Sequence, residues 1–132
     1  MKIKVNEQSQ RFYLAFEKWE SAVGHEIKVG QYRFCAIPLS ESINISEVTS
    51  GVNAINIPMS LEIRMVTATK EETMKFFEKV GERLKRIIES TKDFDDRLQK
   101  MKKTAFERLG EMPPIENVDI DWIFEKESEI VH

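Results

Sequence analysis

The chain has 132 residues, of which 41% are hydrophobic and 33% are charged, and its formal net charge is −3. This size and composition fit one soluble globular domain and argue against global disorder. The mild net charge does not indicate nucleic acid or an anionic membrane as a partner. No apolar run approaches the roughly 18 residues that are needed to cross a bilayer.

The compartment follows from the N-terminus and the cysteine content. The opening residues Met-Lys-Ile-Lys-Val-Asn-Glu lack the apolar core of a secretory signal, so we expect a cytoplasmic protein. Cys35 is the only cysteine, which excludes an intramolecular disulfide and a thiolate zinc cluster. Because it lies within the apolar run 32–37, we expect a buried thiol rather than a reactive one.

The first 23 residues predict a short strand and then an amphipathic helix. Ile3 and Val5 suit the strand. Residues 7–23 carry apolar side chains three and four positions apart, which favours a helix with Gly24 as its C-terminal cap. Those apolar positions are Phe12, Ala15, Phe16, Trp19 and Val23. A strand through residues 12–16 is the competing interpretation, since aromatic side chains also favour sheets.

Residues 26–67 predict the sheet. Gly30 separates two strand-like segments, residues 43–45 restart the alternation, and a turn at 49–51 leads into a long strand at 54–67. The alternating apolar residues of that long strand are Ile55, Ile57, Met59, Leu61, Ile63 and Met65. Three antiparallel strands in meander order are the simplest arrangement. Pro58 requires either that its strand lies at an edge or that this residue faces away from its neighbour.

Two helices are predicted after the sheet. Thr69 and Glu72 have the spacing of a capping box, and an apolar stripe follows them. Residues 90–91 interrupt the stripe, and a second helix then runs to Gly110. The two helices form either an antiparallel hairpin or one long bent helix. Residues 117–125 fit a strand or a helix, and we favour a strand that adds to the sheet.

Together these patterns predict an α+β fold. It consists of a small antiparallel sheet of about three to five strands, with an N-terminal helix and two C-terminal helices packed on one face. We expect a single domain spanning residues 1–132. Residues 1–112 form its core, and the acidic C-terminal segment, residues 113–132, packs back on it.

Candidate catalytic groups are few. The two histidines are His25 and His132, and His25 borders the predicted helix cap, where it suits the helix dipole better than catalysis. Asp119 and Asp121 would share a face of a strand and could hold a divalent ion, but no phosphate-binding loop or basic clamp accompanies them. We therefore expect no enzyme, no cofactor and no metal site.

Charge is distributed unevenly along the chain. Residues 79–108 carry ten basic and six acidic side chains, whereas residues 111–132 carry seven acidic side chains and one lysine. A basic helical surface of this kind would suit a nucleic-acid-binding accessory protein, which is one alternative function. Its candidate contacts are Arg83, Lys85, Arg86, Arg97, Lys100 and Lys103. The pI of about 5.5 favours the simpler interpretation of solvated helix flanks.

Three aromatic residues point to a protein–protein interface. Phe76 and Phe106 fall off the apolar stripes of their helices, and Trp122 lies in an acidic segment. Large aromatic side chains are typical of binding hot spots. We therefore expect a small, non-catalytic binding or assembly protein, with a protein partner or a second copy of itself as a homodimer. A metal-dependent enzyme is the more remote alternative, and we infer no membrane or small-molecule ligand.

Overall fold

A computed structural model describes residues 1–119 of the chain. The strands are β1 (Ile3–Val5), β2 (Gln10–Ala15), β3 (Trp19–Val29), β4 (Tyr32–Pro38), β5 (Ser42–Glu47), β6 (Asn53–Pro58) and β7 (Glu116–Asn117). The helices are α1 (Leu61–Val66), α2 (Lys70–Ser90) and α3 (Phe94–Leu109). The chain therefore combines a sheet with helices, but with more strands than the sequence predicted.

All the strand pairs are antiparallel, in the order β6-β5-β4-β3-β2-β7, and β1 also pairs with β3. β1 and β2 lie end to end along the same side of β3. Val5 faces Ile27 and Gln10 faces Gly24, so two extra residues separate β1 from β2. On its other side, the C-terminal half of β3 forms a tight hairpin with β4. β3 is thus the central strand of the sheet.

The predicted N-terminal helix and the predicted three to five strands are both wrong. Residues 10–15 and 19–29 are strands that pair with each other, and residues 1–119 contribute seven strands to the sheet. In β2, Phe12 and Leu14 are buried at a spacing of two, whereas Phe16 is exposed. The spacing of three and four in this segment therefore does not mark a buried helical stripe, and pairing across the sheet decides its structure.

Gly24 is the point at which β3 leaves β4. A Cβ atom at this residue would lie 2.1 Å from the carbonyl oxygen of Ala36, so the two backbones approach more closely than any side chain allows. Beyond Gly24, the N-terminal half of β3 pairs with β2. β2 ends at the turn between β5 and β6, where the amide of Ala15 donates to the carbonyl of Gly51 at 2.8 Å. The sheet consequently curls.

The curled sheet buries apolar side chains on both of its faces. The larger cluster lies under α2, and its members are Ile27, Val29, Phe34, Ala36, Ile43, Ile45, Ile55, Ile57, Met74, Phe77, Val80, Leu84 and Ile88. The smaller cluster lies on the opposite face, and its members are Phe12, Leu14, Cys35, Ile37 and Val48. Because successive side chains of β4 point to opposite faces, this strand contributes to both clusters.

The two long helices are confirmed, and the boundary between them is sharp. Thr69 caps α2 by accepting a hydrogen bond from the amide of Glu72 at 3.1 Å. Asp93 separates α2 from α3 with a left-handed backbone (φ 56°), which excludes one continuous helix. α2 packs along the sheet against β1 and β3, and Phe94 at the start of α3 packs against the same larger cluster.

Each end of α3 contacts an aromatic side chain of the sheet. At its start, Phe94 and Tyr32 form an edge-to-face pair with centroids 4.8 Å apart, and the Tyr32 hydroxyl donates to Asp95 at 3.0 Å. At its end, Phe106 and Trp19 form a second edge-to-face pair at 5.7 Å. Such aromatic pairs add about 1 kcal/mol each beyond the area that they bury. They fix the two ends of α3 to strands β4 and β3.

The predicted long strand at 54–67 is wrong in its second half. β6 ends at Pro58, and residues 61–66 form α1, whose N-cap is Ser60. The Ser60 hydroxyl accepts a hydrogen bond from the amide of Ile63 at 3.2 Å. Leu, Glu, Arg and Met are strong helix formers, so this short segment favours a helix once the cap is available. The apolar residues alternate without a break across 54–67, so their pattern does not show where the strand ends and the helix begins.

The C-terminal segment is described only up to Asp119. Within it, β7 pairs with β2, and Ile115 packs against the smaller cluster. Trp122, Asp121 and most of the ambiguous range 117–125 lie outside the described residues.

The Gly24 approach predicts a specific stability defect. Gly24→Ala should lower the free energy of unfolding by about 3 kcal/mol, because the new methyl group meets a backbone oxygen that cannot move aside. Gly81→Ala is the matched control. There the new Cβ meets a methyl group of Ile3. Alanine also favours a helix over glycine by about 1 kcal/mol, which offsets part of the cost of that contact. Urea denaturation measures the free energy of unfolding of both variants. Equal losses would show that the approach of Gly24 to Ala36 does not limit the size of the side chain at residue 24.

Candidate functional site

His25 lies in β3, not at a helix cap as predicted. Its Nδ1 atom is 3.0 Å from the carbonyl oxygen of Asn6, and its ring centroid is 6.1 Å from that of Phe77. The imidazole therefore bridges the irregular connection between β1 and β2 and the underside of α2. This contact stabilises the sheet edge.

Glu47, which is buried, and the half-buried Glu26 and Arg33 are also engaged in structural contacts. Glu47 is buried, and its carboxylate accepts hydrogen bonds from the amides of Thr49 and Ser50 at 3.0 and 2.8 Å, which fixes the turn after β5. Glu26 accepts two hydrogen bonds from Arg33 on the neighbouring strand, at 3.0 and 2.8 Å. The hydrogen bond to Glu26 is the main reason that the pKa of Arg33 is raised.

Cys35 is buried in the smaller apolar cluster, and burial raises the pKa of its thiol to about 12. The thiolate is the reactive form of cysteine, so a thiol that stays protonated at neutral pH is a poor nucleophile.

The acidic pair considered as a metal site is only partly described. Asp119 is exposed, and Asp121 lies outside the described residues. Among residues 1–119, the structure brings together no cluster of three or more potential metal ligands.

The six basic residues considered for nucleic acid are divided between two helices. Arg83, Lys85 and Arg86 belong to α2, whereas the other three, Arg97, Lys100 and Lys103, belong to α3. All are exposed except Lys85, which is half-buried. The two groups therefore lie on separate helices, which are joined by residues 91–93.

The two described aromatic candidates are half-buried. Phe76 packs against the larger cluster, 6.3 Å from the ring of Phe77. Phe106 packs against Trp19, and the ammonium group of Lys102 lies 5.7 Å from its ring centroid. The two residues lie on different helices and pack against different neighbours.

An open groove of about 320 Å³ lies beside α3. It is lined by Val52, Lys100, Met101, Thr104, Ala105 and Arg108. This shallow surface combines aliphatic and basic side chains and contains no buried charged group. It resembles a partly covered helix flank more than a substrate cavity.

The two most exposed large apolar side chains of residues 1–119 lie on α1. Leu61, Met65 and Val66 are 75%, 65% and 43% exposed, and α1 has no buried residue. Leu39 is 48% exposed in the loop before β5. The guanidinium of Arg64 approaches the carbonyl oxygen of Ser40 at 3.5 Å, which places α1 beside this loop. We call Leu39, Leu61, Met65 and Val66 the α1 surface.

The sequence analysis missed the α1 surface because it assigned the wrong secondary structure. In a strand, Leu61, Ile63 and Met65 would share one buried face. In the helix, only Ile63 turns toward the larger cluster, and its two neighbours point away from it. The signal that could have revealed this is Ser60, a favourable N-cap that follows Pro58.

Comparison with known proteins supplies no relative: no protein-family model, curated protein or solved structure matches the chain. None of the helices in residues 1–119 combines the length and the low charge needed to cross a membrane. The functional argument therefore depends on the surface itself.

The raised pKa of Cys35 predicts a loss of stability at high pH. In the unfolded chain the thiol ionises near its ordinary pKa of 9.0, whereas in the folded chain it stays protonated to about pH 12. Folding stability from this group is therefore complete below pH 9 and falls as the pH rises from 9 toward 12.

The comparison with Cys35→Ala isolates this effect from the titration of lysines and tyrosines. The difference in unfolding free energy between wild type and variant should be constant up to about pH 8. Above pH 9 it should fall by about 1.4 kcal/mol per pH unit. Denaturant titrations at several pH values measure the difference, and a constant value up to pH 10.5 would contradict the assigned burial.

Proposed function

We propose that the protein is a non-catalytic assembly protein that associates with a second copy of itself through the α1 surface. The observation that carries the proposal is the outward orientation of Leu61 and Met65 on a helix with no buried residue. Scattered apolar side chains on a surface need no explanation, but a contiguous apolar group beside a loop leucine is typical of an interface.

The geometry of α1 favours a second copy as the partner. Residues in a helix are about 100° apart, so Leu61 and Met65 form one outward stripe. Glu62 lies on one flank of this stripe and Arg64 on the other. Both of these charged residues are exposed.

Two-fold symmetry can pair these charges. A two-fold axis that runs along α1 places two such helices side by side, with the stripes in contact and Glu62 of each copy opposite Arg64 of the other. An axis that crosses α1 would instead oppose like charges. The surface is therefore self-complementary in one arrangement, in which the apolar stripe is flanked by two equivalent ion pairs.

The apolar stripe predicts the first test. Leu61→Ser combined with Met65→Ser should weaken self-association by at least about 100-fold, because each apolar side chain stabilises a buried interface by roughly 1.5–3 kcal/mol and a symmetric dimer loses each of them twice. The monomer should stay folded, since neither side chain contributes to the core. Light scattering coupled to size-exclusion chromatography measures the mass over a range of concentrations.

Ile87→Ser combined with Met101→Ser is the matched control, because these two apolar residues are also partly exposed but lie on α2 and α3. The control variant should associate like the wild type. A wild-type protein that stays monomeric at all concentrations, or equal dissociation of both variants, would contradict the proposal.

The flanking charges predict the second test. Glu62→Arg alone and Arg64→Glu alone should each weaken the dimer about tenfold. In either variant, both of the equivalent ion pairs across the interface become pairs of like charges. The double exchange restores opposite charges and should recover most of the wild-type affinity. Sedimentation equilibrium at low salt measures all four proteins. Additive losses in the double variant would exclude the arrangement with the axis along α1.

A further inference from the structure

Met65 is the most exposed methionine of the chain, with 65% of its surface in contact with solvent. The other methionines are Met1, Met59, Met74, Met101 and Met112. Among them, Met74 is buried in the larger cluster, whereas Met1 and Met101 are 50% and 38% exposed and lie outside the α1 surface. A reagent in solution therefore reaches a thioether within the α1 surface more easily than any other thioether of the chain.

A methionine thioether reacts with peroxide without help from neighbouring side chains. A lone pair of the sulfur attacks one oxygen of hydrogen peroxide, the O–O bond breaks and an S–O bond forms. The departing hydroxide takes up the proton of the transferred oxygen and leaves as water. The sulfur loses two electrons and the peroxide gains them. The product, methionine sulfoxide, is polar, and enzymatic reduction reverses the reaction.

We infer that Met65 is a peroxide-sensitive modification site that controls self-association through the α1 surface. This inference rests on the proposed function, in which Met65 and Leu61 form the apolar stripe between two copies. A sulfoxide oxygen at Met65 would have to give up its hydrogen bonds to water when the stripe is buried, which is unfavourable. A symmetric dimer carries this cost in both copies.

The thiol of Cys35 is the other sulfur that peroxide can oxidise, and the fold protects it. Cys35 is buried in the smaller cluster, and burial raises the pKa of its thiol to about 12. Because peroxide reacts with the thiolate rather than with the thiol, Cys35 stays reduced at neutral pH. The reagent therefore acts on the exposed thioether of Met65 and spares the core.

Self-association and oxidation of Met65 oppose each other. The dimer covers Met65, so the dissociated chain is the form that peroxide attacks. Dilution therefore promotes oxidation, and oxidation in turn keeps the chain dissociated by mass action. The α1 surface thus responds both to the concentration of the protein and to the presence of an oxidant.

Peptide mass spectrometry after treatment with hydrogen peroxide at neutral pH tests the reactivity of each methionine. In dilute protein, Met65 should be oxidised fastest and Met74 slowest. At a protein concentration well above the dissociation constant of the dimer, oxidation of Met65 should slow, because association covers it. The rate at Met101 should not depend on concentration. Oxidation of Met74 as fast as that of Met65 would contradict the inference.

Sedimentation equilibrium before and after the same treatment tests the effect on association. Oxidation should weaken the wild-type dimer about tenfold or more, because both copies lose an apolar contact. Reduction with the two methionine sulfoxide reductases, one for each epimer, should restore the original affinity. Whatever the affinity of Met65→Leu before treatment, peroxide should leave it within about twofold. Met101→Leu is the matched control and should lose affinity on treatment as the wild type does.

The outcomes separate this inference from the proposed function. A wild-type dimer that peroxide leaves unchanged, although Met65 is oxidised, overturns the inference and leaves the proposed function intact. Equal weakening of Met65→Leu and the wild type also overturns the inference, because it places the sensitive group elsewhere. A wild-type chain that stays monomeric at every concentration before treatment overturns both.

Discussion

The close approach of Gly24 to the carbonyl of Ala36 is the constraint on which the rest of the structure depends. It lets β3 leave β4 and continue as the partner of β2, so that one sheet has two apolar faces to fill. α2 covers the larger cluster, and the curled β2 hairpin covers the smaller one. Cys35 is part of this second core, and burial there raises the pKa of its thiol.

The elements that could be predicted from sequence are those whose signals are local. The capping spacing of Thr69 and Glu72, and the apolar stripe that follows, specify α2 without help from distant residues. The first 23 residues lack such a signal. Phe12 and Leu14 are buried because they meet Cys35 and Ile37 across the curled sheet, a contact that no local periodicity reveals. Long-range strand pairing therefore determines the secondary structure of this segment.

The candidate site was missed for a related reason. A run of alternating apolar residues continues from β6 into α1, but the strand ends at Pro58 and Ser60 caps the start of a helix. Leu61 and Met65, which a strand would bury, become the most exposed large apolar side chains of residues 1–119. The aromatic candidates Phe76 and Phe106 are, by contrast, half-buried within the chain. Our proposal of self-association therefore rests on the α1 surface and not on these aromatic residues.

The most direct test of the central claim detects contacts between copies at α1. In an equal mixture of isotope-labelled and unlabelled protein, filtered nuclear Overhauser spectra report only contacts between different chains. The account predicts cross-peaks that join the methyl groups of Leu61 and Met65 in one copy to those of the other. Methyl contacts of Leu61 and Met65 confined to the core of their own chain, with no cross-peak between copies, would contradict it.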